Sequence, residues 1–323
     1  MASPNLSEII TTTLRNRTGK LADNVTKNNA LLMRLKEKGN VKPVSGGRTI
    51  VQELEYAENG TFNRYSGYDT LNIAPSDVFT AAEFDIKQAA VTVSISGLEQ
   101  IQNSGKEALI DLLDSRIKNA ERTIMNNIAV DCYSDGTASS GKQIGGLQLL
   151  VADSPSSGAP GGIDRATWTF WRNIAFDATT DGGAAATSAN ITSYMNRVFL
   201  QLQRGSDAPD LVIADNNYFR LYLESLQGIQ QIVSDKMGQA GFTSVKYMNA
   251  DVVCDGGQGG GAGTNKMYFL NTNYIHFRPI KDRNFSVIGG ERMPVNQDAL
   301  AKVIAWAGNM TLSNGSLQGI LKD

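Results

Sequence analysis

One long apolar stripe constrains the fold of this chain more than any other feature. Ser104 and Glu107 form a capping box, the signature of a helix N-terminus. Apolar residues then recur every three or four positions, which predicts one continuous α-helix of about 27 residues, on the order of 40 Å long, ending near residue 134. The stripe is Leu109, Leu113, Ile117, Ala120, Ile124 and Ile128. We expect a solvated face at Asp111, Asp114, Arg116, Lys118, Glu121 and Arg122.

The stretch before this helix has the period of two that is typical of half-buried β-strands. Apolar side chains occupy even positions up to Ile86 and odd positions from Val91 onwards, so we expect a bend or bulge across residues 88–90. Together with an upstream strand, the pattern predicts a long two-stranded hairpin over residues 46–95. The residues that define the strands are Ile50, Leu54, Tyr56, Ala82, Phe84, Ile86, Val91, Val93 and Ile95.

The tip of this hairpin, residues 58–75, is too polar to have a core of its own, yet it contains three aromatic residues. Exposed aromatic side chains in that number need another surface to cover them. We therefore predict that the tip is part of a contact between subunits. Its candidate interface residues are Phe62, Arg64, Tyr65, Tyr68 and Asp69.

Charge is unevenly distributed, although the 323 residues have a net charge of only −2. Residues 1–48 have nine bases and three acids, a net charge of +6, so the rest of the chain has a net charge of −8. One interpretation is a solvated pair of N-terminal helices. The other is a basic arm that lies on an acidic partner surface or on nucleic acid. For the second interpretation, Arg15 and Arg17 are the candidate contact residues.

No motif supports catalysis, a metal site or a cofactor. Cys132 and Cys254 lack metal-site spacing, and His276, the only histidine, lies in an apparent strand, where we expect a structural role. The glycine run at residues 256–266 is followed by a strand instead of the helix N-terminus that a nucleotide phosphate needs. We expect it to be a flexible hairpin loop. Trp168 and Trp171 are expected to share a helix face and to lie in the core.

The remainder of the chain mixes helices and strands without regular alternation, which predicts an α+β fold. A helix should begin near Ile191 and end near Gly205. Asp215 should cap a further helix that follows the buried strand at residues 211–214. Further strands are expected at residues 244–248, 251–254, 267–270, 274–278 and 301–312. The N-terminus has no secretory signal pattern, and no run of 18 apolar residues could span a membrane.

This order of elements resembles the major capsid protein of tailed bacteriophages, the HK-ninety-seven-like capsid fold. Three stretches carry the resemblance besides the basic arm, hairpin and long helix. They are DLVIAD at residues 210–215 with the tyrosine-rich helix after it, MYFLNTNYI at residues 267–275, and the ending from VNQD at residues 295–298 to SLQGILK at residues 316–322.

The resemblance implies a non-enzymatic shell subunit in five parts. These are an N-terminal arm at 1–45, an extended hairpin loop at 46–95, a peripheral domain with the spine helix at 96–139, an axial domain at 140–295, and a return to the peripheral domain at 296–323. It also implies hexamers and pentamers in an icosahedral head around double-stranded DNA, which would be contacted non-specifically. Scaffold, portal and decoration proteins would be further partners, with assembly in the bacterial host cytoplasm.

Two other functions remain open at this stage. The same fold resembles an encapsulin-like compartment, whose shell holds cargo enzymes instead of DNA. A soluble α+β enzyme or sugar-binding protein with a carboxylate site is an alternative from another class, and it would remain a small oligomer.

Overall fold

The structure is a computed structural model that describes residues 29–102, 106–226, 244–256, 261–292 and 298–323. Its α-helices are α1 Ala30–Glu37, α2 Gly97–Gln102, α3 Lys106–Asp131, α4 Leu147–Leu150, α5 Ile191–Gln201 and α6 Asn216–Ser225. A tight turn lies at Ala138–Gly141, and 3-10 turns lie at Pro160–Gly162, Thr169–Trp171, Thr272–Tyr274 and Lys281–Arg283. None of the described helices is long and apolar enough to cross a membrane.

Within the described residues, the strands form three sheets of two, four and six strands. They are β1 Thr49–Glu55, β2 Phe79–Asp85, β3 Lys87–Ser96, β4 Ile174–Asp177, β5 Leu211–Ala214, β6 Ser244–Tyr247, β7 Ala250–Cys254, β8 Lys266–Leu270, β9 Ile275–Pro279, β10 Ser286–Arg292, β11 Ala299–Leu312 and β12 Gly319–Lys322. Strands β1 and β2 pair with each other, β11 pairs with β3, β9 and β10, and the six-stranded sheet has the order β4-β12-β8-β5-β7-β6. The mixture of helices with parallel and antiparallel pairs confirms the α+β class.

Strand β5 lies inside the six-stranded sheet, and all four of its residues are buried. Leu211 and Ile213 face a central core that also contains side chains of α1, α3 and β11. Val212 and Ala214 face the opposite way, into a second core beneath α5 and α6. Burial on both faces explains why this strand appears as a continuous apolar run instead of an alternating pattern. The Asp215 carboxylate accepts the backbone N–H of Tyr218 at 2.9 Å, which confirms the predicted cap.

The long helix is confirmed as α3, a single helix of 26 residues that packs against β3. Ile117, Ala120, Ile124 and Ile128 are buried as the stripe predicts. The capping residue Ser104 and the side chains at positions 109–114 lie outside what the structure describes. The expected solvated face is wrong at Glu121, which is buried, because it lies four residues after Ile117 and three before Ile124 and so shares their buried face.

The predicted hairpin is only partly correct. Strands β1 and β2 pair over their full length, from Thr49 opposite Asp85 to Glu55 opposite Phe79. Strand β3, however, leaves the hairpin and pairs with β11 from residues 87 to 96. The change of apolar phase lies at Ile86, between β2 and β3, and not at residues 88–90. The chain therefore passes from one sheet to another at this point.

The N-terminal part of the chain is not wholly a detached arm. Helix α1 lies within the expected arm, and Ala30, Leu31, Leu32 and Leu35 are fully buried in the central core. Beyond the helix, Val41 bridges to β9 in parallel orientation. The expected boundary at residue 45 is therefore too late, because an amphipathic helix that begins at residue 30 finds its apolar contacts on its own chain.

The two larger sheets also divide the C-terminal half differently from the expected domains. Strand β12, expected to return to the domain of the long helix, lies in the six-stranded sheet between β4 and β8. Strands β9 and β10, expected in the axial domain, pair with β11. These pairings join residues distant in sequence, so a local pattern could not have revealed them.

Two smaller expectations are also corrected. The glycine run does not close a hairpin, because β5 lies between the two strands it connects, β7 and β8. Trp168 and Trp171 do not share a helix face. Trp168 precedes the 3-10 turn and is 45% exposed, whereas Trp171 is its last residue and is fully buried. His276 lies in β9, as its sequence context predicts, and is half-buried there.

Candidate subunit interface

The hairpin formed by β1 and β2 has one face that packs on its own chain. Ile50 and Leu54 of β1 and Ala82 and Phe84 of β2 are all buried in the central core. Gln52, on the same face, accepts a hydrogen bond from Arg278 Nη2 at 3.3 Å. The base of the hairpin is therefore held in a defined position, from which the tip projects.

The hairpin packs closely against the turn Pro160–Gly162, where the backbone of Gly161 contacts side chains of β2. A Cβ atom on Gly161 would lie 2.8 Å from the Ala82 Cβ and 3.0 Å from the Phe84 Cζ. Gly161 also has a φ of +65°, a conformation that glycine adopts at little cost. Only a glycine satisfies both conditions at this contact.

Three aromatic rings cluster near the start of the tip. The ring centroid of Tyr56 lies 5.6 Å from that of Trp168 and 5.6 Å from that of Phe170. They border an open cavity of about 540 Å³, which Phe79 and Asp164 also line. Hydrogen bonds from the backbone N–H of Ala166 and from Thr167 Oγ1 lower the pKa of Asp164, so this carboxyl is ionised at neutral pH.

The tip itself has no buried side chain between residues 62 and 75. Phe62 is 78% exposed, Tyr65 is 66% exposed and Tyr68 is fully exposed. Aromatic side chains each have a large apolar area, so exposing three of them on one loop of an isolated chain is unfavourable. The exposure of the three aromatics agrees with the sequence-based expectation, and the structure places Arg64 and Asp69 beside them.

Local hydrogen bonds shape the tip without any core. The Asp69 carboxylate accepts the backbone N–H of Ser66 at 2.8 Å, and Gly67 between them has a φ of +56°. The Arg64 guanidinium lies 5.6 Å from the Phe62 ring centroid, within cation–π range. Asx turns at Asn59 and Asn72, whose side chains accept the backbone N–H groups of Thr61 and Ala74 at 3.0 Å each, also order the tip.

Sequence reasoning missed part of this surface. Leu71 and Ile73 are also exposed on the tip, Ile73 at 93%. Their alternation with polar neighbours in the segment LNIA, residues 71–74, was the available signal. The outward face of the hairpin was missed as well. It is acidic, because Glu53, Glu55, Glu83 and Asp85 all lie on the exposed side of β1 and β2.

The other candidate interface residues, Arg15 and Arg17, lie outside the described residues. Within the described part of the chain, no group of three or more His, Cys, Asp or Glu side chains is placed to hold a metal ion. Cys132 is buried and Cys254 is partly buried, and both are free thiols. Burial raises the pKa of the Cys132 thiol, so it is an inert core residue.

The fold defined by these elements is that of viral and related shell proteins, the HK-ninety-seven-like capsid fold. The capsid protein of cyanophage A-1(L) superposes with a TM-score of 0.64 at 16% identity, over 88% of this chain and 90% of that one. The capsid protein of Myoviridae phage XM1 has a TM-score of 0.51 at 12% identity, over 89% and 91% of the two chains. An encapsulin from Synechococcus elongatus has a TM-score of 0.50 at 7% identity, over 88% and 84%. No family model and no curated protein matches the chain at the level of sequence.

Proposed function

We propose that this chain is a structural major capsid protein that assembles as hexamers and pentamers into the icosahedral head of a tailed phage. The observation that carries the proposal is the hairpin tip, where three aromatic side chains and Ile73 are exposed on a loop whose base is firmly seated. Such a tip buries its apolar area only against another molecule. The similarity in fold to phage capsid proteins favours a second copy of this chain as that molecule.

The tip residues Phe62, Arg64, Tyr65, Tyr68 and Asp69 are proposed as intersubunit contacts. In a repeated interface, each buried aromatic ring contributes on the order of 1–3 kcal/mol, and the contribution recurs at every subunit. The outward face of the hairpin is acidic, so a neighbouring subunit surface that contacts it is expected to be basic. The basic segment that contains Arg15 and Arg17 has that charge, so we propose that it also contacts neighbouring subunits.

The two larger sheets correspond to the two proposed parts of the subunit. The four-stranded sheet with α3 would form the peripheral part of the subunit, and the six-stranded sheet with α5 and α6 would form the axial part. The hairpin would be the extended loop. Scaffold, portal and decoration proteins and packaged double-stranded DNA are proposed partners in a virion assembled in the bacterial host cytoplasm.

An encapsulin-like compartment is the second candidate, since an encapsulin shares the fold over most of the chain. The contents of shells purified from the native host separate the two functions. A capsid contains nuclease-protected DNA, whereas a compartment contains a specific cargo protein. A soluble carboxylate enzyme or sugar-binding protein forms no shell, so the appearance of closed particles would exclude it as the main function.

A further inference from the structure

The sequence contains two Asn-Gly pairs, and the structure places them in opposite environments. Asn59–Gly60 lies where the hairpin tip begins, and Asn314–Gly315 lies in the turn between β11 and β12. In such a pair the backbone nitrogen of the glycine can attack the side-chain amide carbon of the asparagine, because glycine has no Cβ to shield that nitrogen and leaves the backbone free to rotate. The packing around each pair therefore decides whether the reaction occurs.

The pair in the tip is free to rotate. Asn59 and Gly60 are both exposed, and a Cβ atom added to Gly60 would have no other atom within 4 Å. The Gly60 N–H donates a long hydrogen bond, 3.4 Å, to Ser76 Oγ. An exposed contact of this kind is easily broken, so the glycine nitrogen is accessible.

Thr61 positions the Asn59 side chain for this reaction. Its backbone N–H donates to Asn59 Oδ1 at 3.0 Å, and its hydroxyl donates to the same oxygen at 2.7 Å. These hydrogen bonds fold the side chain back along the residues that follow it, so the amide carbon stays beside the Gly60 peptide. They also withdraw electron density from that carbon and stabilise the negative oxygen that forms during attack.

Asn314–Gly315, in contrast, is fixed by the fold. Gly315 is buried, and a Cβ atom added to it would overlap the backbone carbonyl of Trp171. The Gly315 carbonyl accepts the backbone N–H of Gln318 at 3.0 Å, and Asn314 Oδ1 accepts that of Leu317 at 3.3 Å. Rotation of the Gly315 peptide towards the Asn314 side chain would break these contacts, so ring closure at this pair requires local unfolding.

We propose that Asn59 is a site of spontaneous deamidation in the native chain. The Gly60 nitrogen loses its proton to hydroxide and forms a bond to Asn59 Cγ. The bond between Cγ and Nδ2 then breaks, and ammonia leaves with a proton taken from water, so a five-membered succinimide remains. Water adds to one of the two ring carbonyls and opens the ring to aspartate or isoaspartate. The whole sequence consumes one water molecule and releases one ammonia, without any oxidation or reduction.

Isoaspartate would alter the tip more than aspartate. In isoaspartate the main chain passes through the side-chain carbon, which adds one backbone atom between the hairpin base and the exposed aromatics. Aspartate keeps the backbone length and still provides an acceptor for Thr61. On the proposed function, on which this step rests, a subunit with isoaspartate at position 59 fails to assemble, whereas Asn59→Asp assembles. Burial of the tip in a shell would in turn protect Asn59.

Mass spectrometry of the full-length chain, incubated before assembly at neutral and at mildly alkaline pH, tests the modification. We expect Asn59 to convert to aspartate and isoaspartate faster than Asn314 by about tenfold or more, since reaction at Asn314 first requires local unfolding. In denaturant the two asparagines should react at similar rates, because the packing at Gly315 is lost. Equal rates in the native chain, or a native Asn59 that reacts much more slowly than it does in denaturant, would overturn the proposal.

Gly60→Ala is the matched variant. Its new methyl group meets no atom within 4 Å and the position has no positive φ, so the fold should be unchanged while deamidation at Asn59 slows by about tenfold. Sedimentation velocity then compares the assembly of the incubated variant with that of incubated and fresh wild-type chains. Loss of assembly in the incubated wild-type chain alone supports the effect on assembly, and equal assembly with and without isoaspartate would overturn it. Failure of the fresh chain to assemble would contradict the proposed function and leave the mass-spectrometric result intact.

Discussion

Arg34 Nε lies 3.1 Å from Asp210 Oδ2, and this ion pair ties α1 to the loop that leads into β5. Arg34 Nη2 is also 3.3 Å from Asp251 Oδ2, so one guanidinium compensates two carboxylates that are largely buried. Thr272 donates to Asp210 through both its backbone N–H and its hydroxyl, each at 2.7 Å. The basic N-terminal region is thus part of the folded body from residue 29 onwards.

Two truncations test where the arm ends. Removing residues 1–28 should leave the melting temperature of the body nearly unchanged, while it weakens assembly in a salt-dependent way. Removing residues 1–40 should lower stability by more than 4 kcal/mol, estimated from the transfer cost of three fully buried leucines and the loss of Arg34. Thermal melts followed by circular dichroism measure both. Equal stability of the two truncated chains would contradict the docking of α1.

The seating of the hairpin depends on Gly161. Gly161→Ala should destabilise the protein by about 2–3 kcal/mol, because the new Cβ both overlaps Ala82 and strains a positive φ. Gly162→Ala is the matched control, since Gly162 has a φ of +78° and open space around it. That variant should cost only the backbone strain, about 1 kcal/mol. Hydrogen exchange at the β2 amides should accelerate in the first variant more than in the second.

The low pKa of His276 gives stability a defined dependence on pH. The folded chain protonates this ring near pH 4 and the unfolded chain near pH 6.5, so the unfolded state binds the proton first. The free energy of unfolding is therefore not reduced by His276 above pH 6.5, and it decreases as the pH falls from 6.5 towards 4. After a discount for partial exposure, the loss between about pH 7.5 and 5.5 is about 1 kcal/mol. His276→Gln should reduce this slope, and an unchanged slope would contradict the burial of the ring.

The elements with local signals were predictable from the sequence. The stripe of α3 and the cap at Asp215 depend on neighbours three or four residues away, so their residues specify them directly. The exposed aromatics of the tip were predictable for a similar reason, because a polar stretch leaves them no local core. The pairing of β3 with β11 could not be predicted from the sequence, because β11 lies more than 200 residues later in the chain. The acidic outward face of the hairpin likewise exists only once β1 and β2 are paired.

The hairpin tip gives the sharpest mutational test of the proposed interface. Replacing Phe62, Tyr65 and Tyr68 together by Ser should leave the far-UV circular dichroism and the melting temperature of the monomer nearly unchanged, since all three side chains are exposed. The same variant should form no shells. Leu200→Ser, which removes a 61% exposed side chain of α5 away from the hairpin, is the control for loss of apolar surface and should still assemble. Unfolding of the triple variant would show that the tip packs on its own body.

The most direct test of the central claim is the assembly state of the purified full-length chain. Sedimentation velocity and electron microscopy, under salt and crowding conditions that promote assembly, should show pentamers, hexamers or closed shells, without enzymatic turnover. The physical reason is the exposed tip, whose aromatic area is covered only when many copies contact one another. A chain that remains a monomer or a dimer under all of these conditions would contradict its assignment as a shell subunit.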